Sequence, residues 1–291
     1  MKHAFLITAY KDPEQLYILI DELKKYNSNI YIHIDKRSAQ LKKDAALKYS
    51  PTENVHIISD SIKVHFGGFS HLKAILILLD EAYKNSDNFY FHLISGQDLP
   101  IKSKKEFELF FEKNRDNNFI TNFKLPDKNW SNGGLDRMEH YHLNDLFDPK
   151  KDLFLPLSRR FINLQNRLKI KRKQPNYINS YYGGGTWWSL SLNAINTVMA
   201  FIKKHPDFIR FFKHTHCGEE IFFQTILMNG EIKSQIINDD LRYINWNTKH
   251  GSCPALLDLD DKENIFKKEY MFARKFDSKM SAGLRREVLS P

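Results

Sequence analysis

The chain of 291 residues has little cysteine, with Cys217 and Cys253 its only two. Two thiols build neither the disulfide framework of a small secreted domain nor a thiolate zinc site, so a reducing, cytoplasmic setting is expected. Long apolar runs are also missing. The N-terminal run in MKHAFLITAYKDPEQ gives way to charge far short of the ~18–20 residues a bilayer requires. No cleavage signature follows it. No internal repeat or low-complexity tract occurs, which points to a folded domain rather than an array or a tail. Acid is scarcer than base, at 35 Asp and Glu against 44 Lys and Arg. The resulting charge of +9 calls for an anionic partner such as a nucleotide, a membrane surface or nucleic acid.

What the sequence does have is an alternation of strands and helices. With 42% hydrophobic residues, it can fill the core of one large α/β domain spanning residues 1–291. Residues 3–9 read as a buried strand, and Asp12-Pro13 opens a helix with Leu16, Ile18, Leu19 and Leu23 at helical spacing. Residues 30–34 form a second strand ending in Asp35-Lys36, and 55–58 a third. Ser70 caps a helix reaching Tyr83, residues 89–94 make the next strand, and Ser103 caps another helix. Such alternation predicts a mostly parallel sheet flanked by helices, with ligands at the carboxyl ends of the strands. Asp35 and the turn Ser95, Gly96, Gln97, Asp98 in FHLISGQDLPIKS stand at two such ends.

From 122 to 180 the alternation stops, and the stretch reads as a loop-rich acceptor-side insertion with one helix near 160–168. Arg137, Glu139, Tyr141 and His142 are candidate acceptor contacts there, with a solvated loop as the plain alternative. The basic run LKIKRK at 168–173 lacks interleaved aromatics and reads as a solvated or membrane-facing patch rather than a nucleic-acid site. Order resumes with YYGGGTWWSLS at 181–191, a strand behind glycines that let a ligand approach the backbone. Gly184, Gly185, Thr186 and Trp187 are candidates for sugar contact. A helix over 193–204 follows, then EEIFFQTILMN, stopped by Gly230.

Glu219 and Glu220 open that last helix. Carboxylates in a first turn serve the helix dipole. Two in succession before IFF also allow one to be solvated while the other turns inward as a general base beside an acceptor hydroxyl. WNTKHG and FARKFD carry Lys249, His250, Arg274 and Lys275. A solvated basic face is one reading; the other is a set of fixed cations, with Phe272 and Phe276 flanking the latter pair, that stabilises a diphosphate leaving group. Two metal-like patterns are set aside. DLDD at 258–261 contains D-x-D but precedes charged helix residues instead of ending a strand. HTHC at 214–217 has no second cluster to complete a tetrahedral set and reads as a polar turn between helices.

In chain order, AFLITAYKDPEQL, YIHIDKRS, VHFGGFSHLKAIL, FHLISGQDLPIKS, GGGTWWSLS, GEEIFFQTIL, LRYINWNTKHG and FARKFD resemble the core-2/I-branching N-acetylglucosaminyltransferase and peptide O-xylosyltransferase family. The match runs from residue 3 to residue 277 and is weakest over 122–180. It implies a GT-A-type fold and inverting transfer from a UDP-sugar to a glycan hydroxyl, with no divalent metal or other cofactor. N-acetylglucosamine is the expected sugar; xylose or another hexose, moved to protein or glycan, is the alternative. On the family's pattern Ala9, Tyr10, Lys11 and Asp35 match uridine-binding segments, with Phe66 and Gly67 at the pocket edge. Glu220 matches the catalytic glutamate and Lys275 the lysine that neutralises the diphosphate. Lys249 or His250 matches a second cation, and Tyr243 and Trp246 fall among aromatic acceptor contacts.

Ser95 to Asp98 occupies the place where other GT-A enzymes keep a D-x-D pair, yet supplies one carboxylate, poor equipment for holding a hard dication. Thr186 stands where xylosyltransferases carry an aspartate proposed as the base, which favours Glu220 and branching-enzyme chemistry. Thr248 stands where xylosyltransferases have an arginine, so a lysine beside it replaces a bidentate fork by a point charge. Animal members carry an N-terminal membrane anchor and many cysteines, neither of which this sequence has. The expectation is a bacterial cytoplasmic member at the inner face of a membrane, assembling surface polysaccharide on a lipid-linked glycan. A basic nucleic-acid-binding protein is the non-enzymatic alternative. It is disfavoured because the charge is dispersed and the aromatics lie mostly in strands.

Overall fold

The computed structural model describes residues 1–147 and 155–289. β1 (His3–Ala9) is an almost wholly buried strand, and Asp12 then caps α1 (Pro13–Leu23) by accepting from the Gln15 amide. The same unit recurs through β2 (Ser28–Ile34), α2 (Ala39–Tyr49), β3 (Val55–Ile57), α3 (Phe69–Tyr83) and β4 (Tyr90–Ser95). β5 (Asp98–Pro100) follows at once, and a Ser103–Glu106 capping box starts α4 (Lys104–Lys113). β6 (Asn118–Ile120) and β7 (Phe123–Lys124) lead into a stretch holding α5 (Asp136–Glu139) and α6 (Leu155–Arg167). Then come β8 (Tyr182–Gly183), β9 (Trp188–Ser191), α7 (Leu192–Lys204), α8 (Pro206–Phe212) and α9 (Phe222–Asn229). β10 (Ile236–Ile237), β11 (Arg242–Ile244), α10 (Lys262–Phe266), β12 (Phe272–Arg274) and α11 (Ala282–Leu289) complete the order.

Seven strands make the main sheet, in the order β10-β6-β9-β4-β1-β2-β3. β4, β1, β2 and β3 run parallel, β9 is antiparallel to both its neighbours, and β10 pairs parallel with β6. Alternate side chains of β1 feed two cores: Phe5 and Ile7 pack among α1, α2 and α4, while Ala4 and Leu6 pack among α3, α7 and α9. A sheet buried on both faces needs apolar residues at every strand position, which is why these strands read as continuous runs. The register sets Ala9 beside Ile34 and Thr8 beside Ser95, so the polar ends of β1, β2 and β4 come out together at one edge. β11, β12 and β5 form a smaller sheet beyond that edge.

Three sequence expectations are corrected. Ser70 does not cap its helix: α3 starts at Phe69 with Gly68 in the cap position, and Ser70 lies inside the first turn. The helix carrying Glu219 and Glu220 begins later, at Phe222, after a 3-10 turn over Gly218–Glu220. The helix of the 122–180 stretch runs over Leu155–Arg167 rather than 160–168.

Candidate active site

A cleft of 1210 Å³ opens at the C-terminal edge of the parallel strands. Ala9, Tyr10 and Lys11 line it from the end of β1 and Asp35 from the end of β2. Arg37 clamps the Asp35 carboxylate with Nε 2.9 Å from Oδ1 and a terminal nitrogen 2.7 Å from Oδ2, and the Val64 amide donates at 3.0 Å. Burial works against the Asp35 charge, but these bonds win and hold the group below its ordinary value. Phe66 and Gly67 form the rim. Gly67 has φ 65, and a Cβ there would meet the His216 ring at 2.5 Å.

The opposite wall carries the two glutamates, which the 3-10 turn aims in different directions. Glu219 turns inward, 4% exposed, with Oε1 2.9 Å from His71 Nδ1. Burial opposes charge on both partners, yet each ionised group sustains the other, raising His71 and lowering Glu219. Glu220 stays half-buried, and Arg137 donates to its Oε2 at 2.6 Å while stacking 3.6 Å over the Trp130 ring. Burial, then the Glu219 charge, push the Glu220 carboxyl up, with Arg137 pulling the other way. Neither glutamate caps α9. The dipole reading of the pair gives way to two specific partners on other elements.

Ser95, Gly96 and Gln97 line the cleft floor, with Gly185, Thr186 and Trp187, and with Tyr243, Trp246, Arg274 and Lys275 from the smaller sheet and its loops. Four expected residues are not brought to the wall. Asp98 is wholly buried beneath it, accepting from the Ser95 amide at 2.7 Å and from Arg274 Nε at 2.8 Å. Gly184 is pressed against Thr121, so closely that an added Cβ would lie 1.8 Å from the Thr121 carbonyl oxygen. Lys249 sits among Asp258, Asp260 and Asp261, and His250 Nε2 lies 2.7 Å from Asp258 Oδ2. The acidic turn thus takes both candidates for the second diphosphate cation, Lys249 and His250, and leaves Arg274 and Lys275 on the wall. Of the insertion candidates, Arg137 alone lines the cleft. Glu139 pairs with Lys171, Tyr141 packs on His214, and His142 faces the Asp136 carbonyl and the His216 ring.

Sequence reasoning missed Arg37, His71, Asp240 and Arg242, all lining the cleft. Asp240 is a further cleft carboxylate and, like Glu220, is pushed up by burial, here against the pull of Arg242. Its signal was a doubled aspartate directly before a short strand. Among the described residues no three His, Cys, Asp or Glu are placed to hold a metal ion.

The sequence has counterparts among known proteins. A family profile described as "Core-2/I-Branching enzyme" matches residues 3–264. The chain belongs to the core-2/I-branching enzyme family. This is a glycosyltransferase family, and the seven-stranded, mostly parallel sheet between helices is the GT-A-type α/β architecture the resemblance implied. The family match includes Glu220 and ends before Arg274 and Lys275, which rest on the FARKFD motif. Curated relatives of this family member include xylosyltransferase 1 of Mus musculus, 28% identical over 229 residues, and xylosyltransferase 2 of Homo sapiens, 25% identical over 226. Each alignment takes in 76% of this chain, which spans 21% and 24% of those proteins. Among solved structures, mouse xyloside xylosyltransferase 1 in its apo form matches with a TM-score of 0.37 at 12% identity, over 94% of this chain and 97% of that one.

Proposed function

We propose that this chain is an inverting, metal-independent glycosyltransferase that moves a sugar from a UDP-sugar to a hydroxyl of a glycan acceptor. The observation that carries the reading is one cleft that holds both the polar strand ends at Ala9–Lys11 and Asp35 and a carboxylate, Glu220, placed by its own arginine. UDP lies along the strand ends, and Lys275 and Arg274 receive the diphosphate. Glu220 takes the proton of the acceptor hydroxyl as it attacks the anomeric carbon in line. Arg137 fixes the carboxylate's orientation, and Trp246, 69% exposed, offers a flat face to a sugar ring. Metal independence is supported by the commitment of Asp98 to Arg274, which leaves the SGQD turn no free carboxylate for a dication.

N-acetylglucosamine is the sugar we assign, supported by Thr186 at the position of the xylosyltransferase aspartate. Xylose is the second reading, favoured by the names of the relatives at 25–28% identity. Transfer within surface polysaccharide synthesis, on a lipid-linked glycan at the cytoplasmic face of a membrane, is the setting we propose. A donor screen by UDP release, in excess EDTA, tests sugar and metal together. Glu220→Gln is expected to keep UDP affinity and abolish transfer; full turnover in that variant would sink the assignment.

A further inference from the structure

Residues 155–173, LPLSRRFINLQNRLKIKRK, contain Arg159, Arg160, Arg167, Lys169, Lys171, Arg172 and Lys173 and no acidic residue. The segment folds as α6 and a short extension, and it is pinned from one side. Gln165, buried, bonds the Tyr141 amide and carbonyl at 2.8 and 3.0 Å, and Asn166 Oδ1 lies 2.7 Å from His140 Nε2. Buried Arg172 donates to the carbonyls of His140, Phe211 and His214. With these polar side chains turned inward, and Phe161 and Ile162 half-buried, the leucines of the segment lie exposed. Leu157, Leu164 and Leu168 are 44%, 51% and 61% exposed, two turns and then one turn apart, and so share one stripe. Arg160 and Arg167, exposed, flank it.

We propose that α6 and its extension are a docking surface for an anionic lipid bilayer, lying in the interface with the leucine stripe among the acyl chains and the arginines at the headgroups. Charge complementarity selects the occupant: a run of cations without a single acid suits an anionic surface, and the aliphatic stripe between them adds affinity there alone. Phosphate contacts of a nucleic acid would draw on the arginines and leave the leucines in water. No helix among the described residues is long and apolar enough to cross a membrane, so contact of this kind is peripheral. The placement also fits the chemistry. His140 and Tyr141, which hold α6, follow closely on Arg137, the residue that reaches Glu220. α6 is thus tied to the segment that carries Arg137; the lipid surface is argued without the proposed function, and the choice of a lipid-linked acceptor rests on it.

The test is co-sedimentation of the full chain with phosphatidylcholine vesicles, with and without phosphatidylglycerol. Binding is expected with phosphatidylglycerol and not without it. Leu157→Ser with Leu164→Ser and Leu168→Ser, and separately Arg160→Glu with Arg167→Glu, are each expected to lower the bound-to-free ratio about tenfold or more. Calorimetric titration with UDP, unchanged in both variants, shows that they remain folded. If UDP binds to no form of the protein while the vesicle results hold, the nucleotide reading fails and the docking surface stands. Absence of binding to phosphatidylglycerol, binding undiminished by the leucine changes, or tighter binding to random-sequence duplex DNA would each overturn it.

Discussion

Arg274 Nε lies 2.8 Å from Asp98 Oδ1, with the carboxylate wholly buried and the guanidinium stacked 4.2 Å from the Trp187 ring. The carboxylate that opens β5 is thus held by a cation opposite it on β12, 176 residues later in the chain, so the pair lies within the smaller sheet, while the Ser95 amide ties the same carboxylate to the end of β4. Burying one ion of such a pair without its partner is costly, whereas the intact pair roughly balances its desolvation.

Asp98→Ala is therefore expected to destabilise the protein by about 3–5 kcal/mol, read from denaturant midpoints at constant m-value. Arg274→Met, which keeps the stacked volume, should cost a similar amount by stranding Asp98. Unchanged stability with lost UDP affinity would instead make Asp98 a ligand contact.

Lys249 and Lys275, paired in the sequence reading, should separate. Lys249 is held by three aspartates away from the cleft wall, and Lys275 lines it. Lys249→Ala is expected to cost about 1.5–3 kcal/mol of stability and leave UDP affinity nearly unchanged. Lys275→Ala should weaken UDP binding about tenfold, with little effect on stability. Equal losses of UDP affinity in the two variants would return Lys249 to the diphosphate.

The legibility of the sequence followed the strength of its periodic signals. β1, β2 and β4 were plain because burial on both faces makes their residues continuously apolar. α2 was passed over because it buries only Leu41, Ala45 and Tyr49 in a lysine-rich stretch. Asp35 and Ser95 were reached as strand ends, Glu220 as one of two carboxylates opening a helix and Lys275 as a cation between two phenylalanines, motif order then adding their roles, and all four line one cleft. His71 and Arg242 were not reached, since one pairs with a glutamate distant in sequence and the other bonds backbone, and neither leaves a periodic trace; Arg37 was missed although its partner Asp35 stands two residues before it. Lys249 and Asp98 show the converse: position in a motif brought them to notice, and ion pairs, with a nearby acidic turn for Lys249 and with distant Arg274 for Asp98, decided where they point.

Gly184→Ala tests the link between backbone packing and the base. The Gly184 amide donates to the Glu220 carbonyl at 2.9 Å, and the missing Cβ is what lets that strand lie against Thr121. Alanine should cost about 1–3 kcal/mol through overpacking and, by displacing the 3-10 turn, lower kcat more than it raises KM. A stable variant with unaltered kcat would show that the turn holds Glu220 without this contact.

The pH profile offers a test with two opposite signs. A general base works ionised, so kcat/KM should fall as pH drops through the Glu220 value, and that limb should lie above the ordinary glutamate range near ~4.3 because burial and Glu219 raise it. Glu219→Gln removes a negative neighbour, makes the Glu220 anion easier to form, and should move the limb to lower pH. Arg137→Gln removes a positive neighbour from 2.6 Å and should move it to higher pH. A merely structural role for either residue would lower the plateau and leave the limb in place. Because the two shifts run in opposite directions, a general loosening of the site cannot produce both. Two variants that moved the limb the same way would remove Glu220 from the role of base and turn attention to Asp240, the other cleft carboxylate that burial raises.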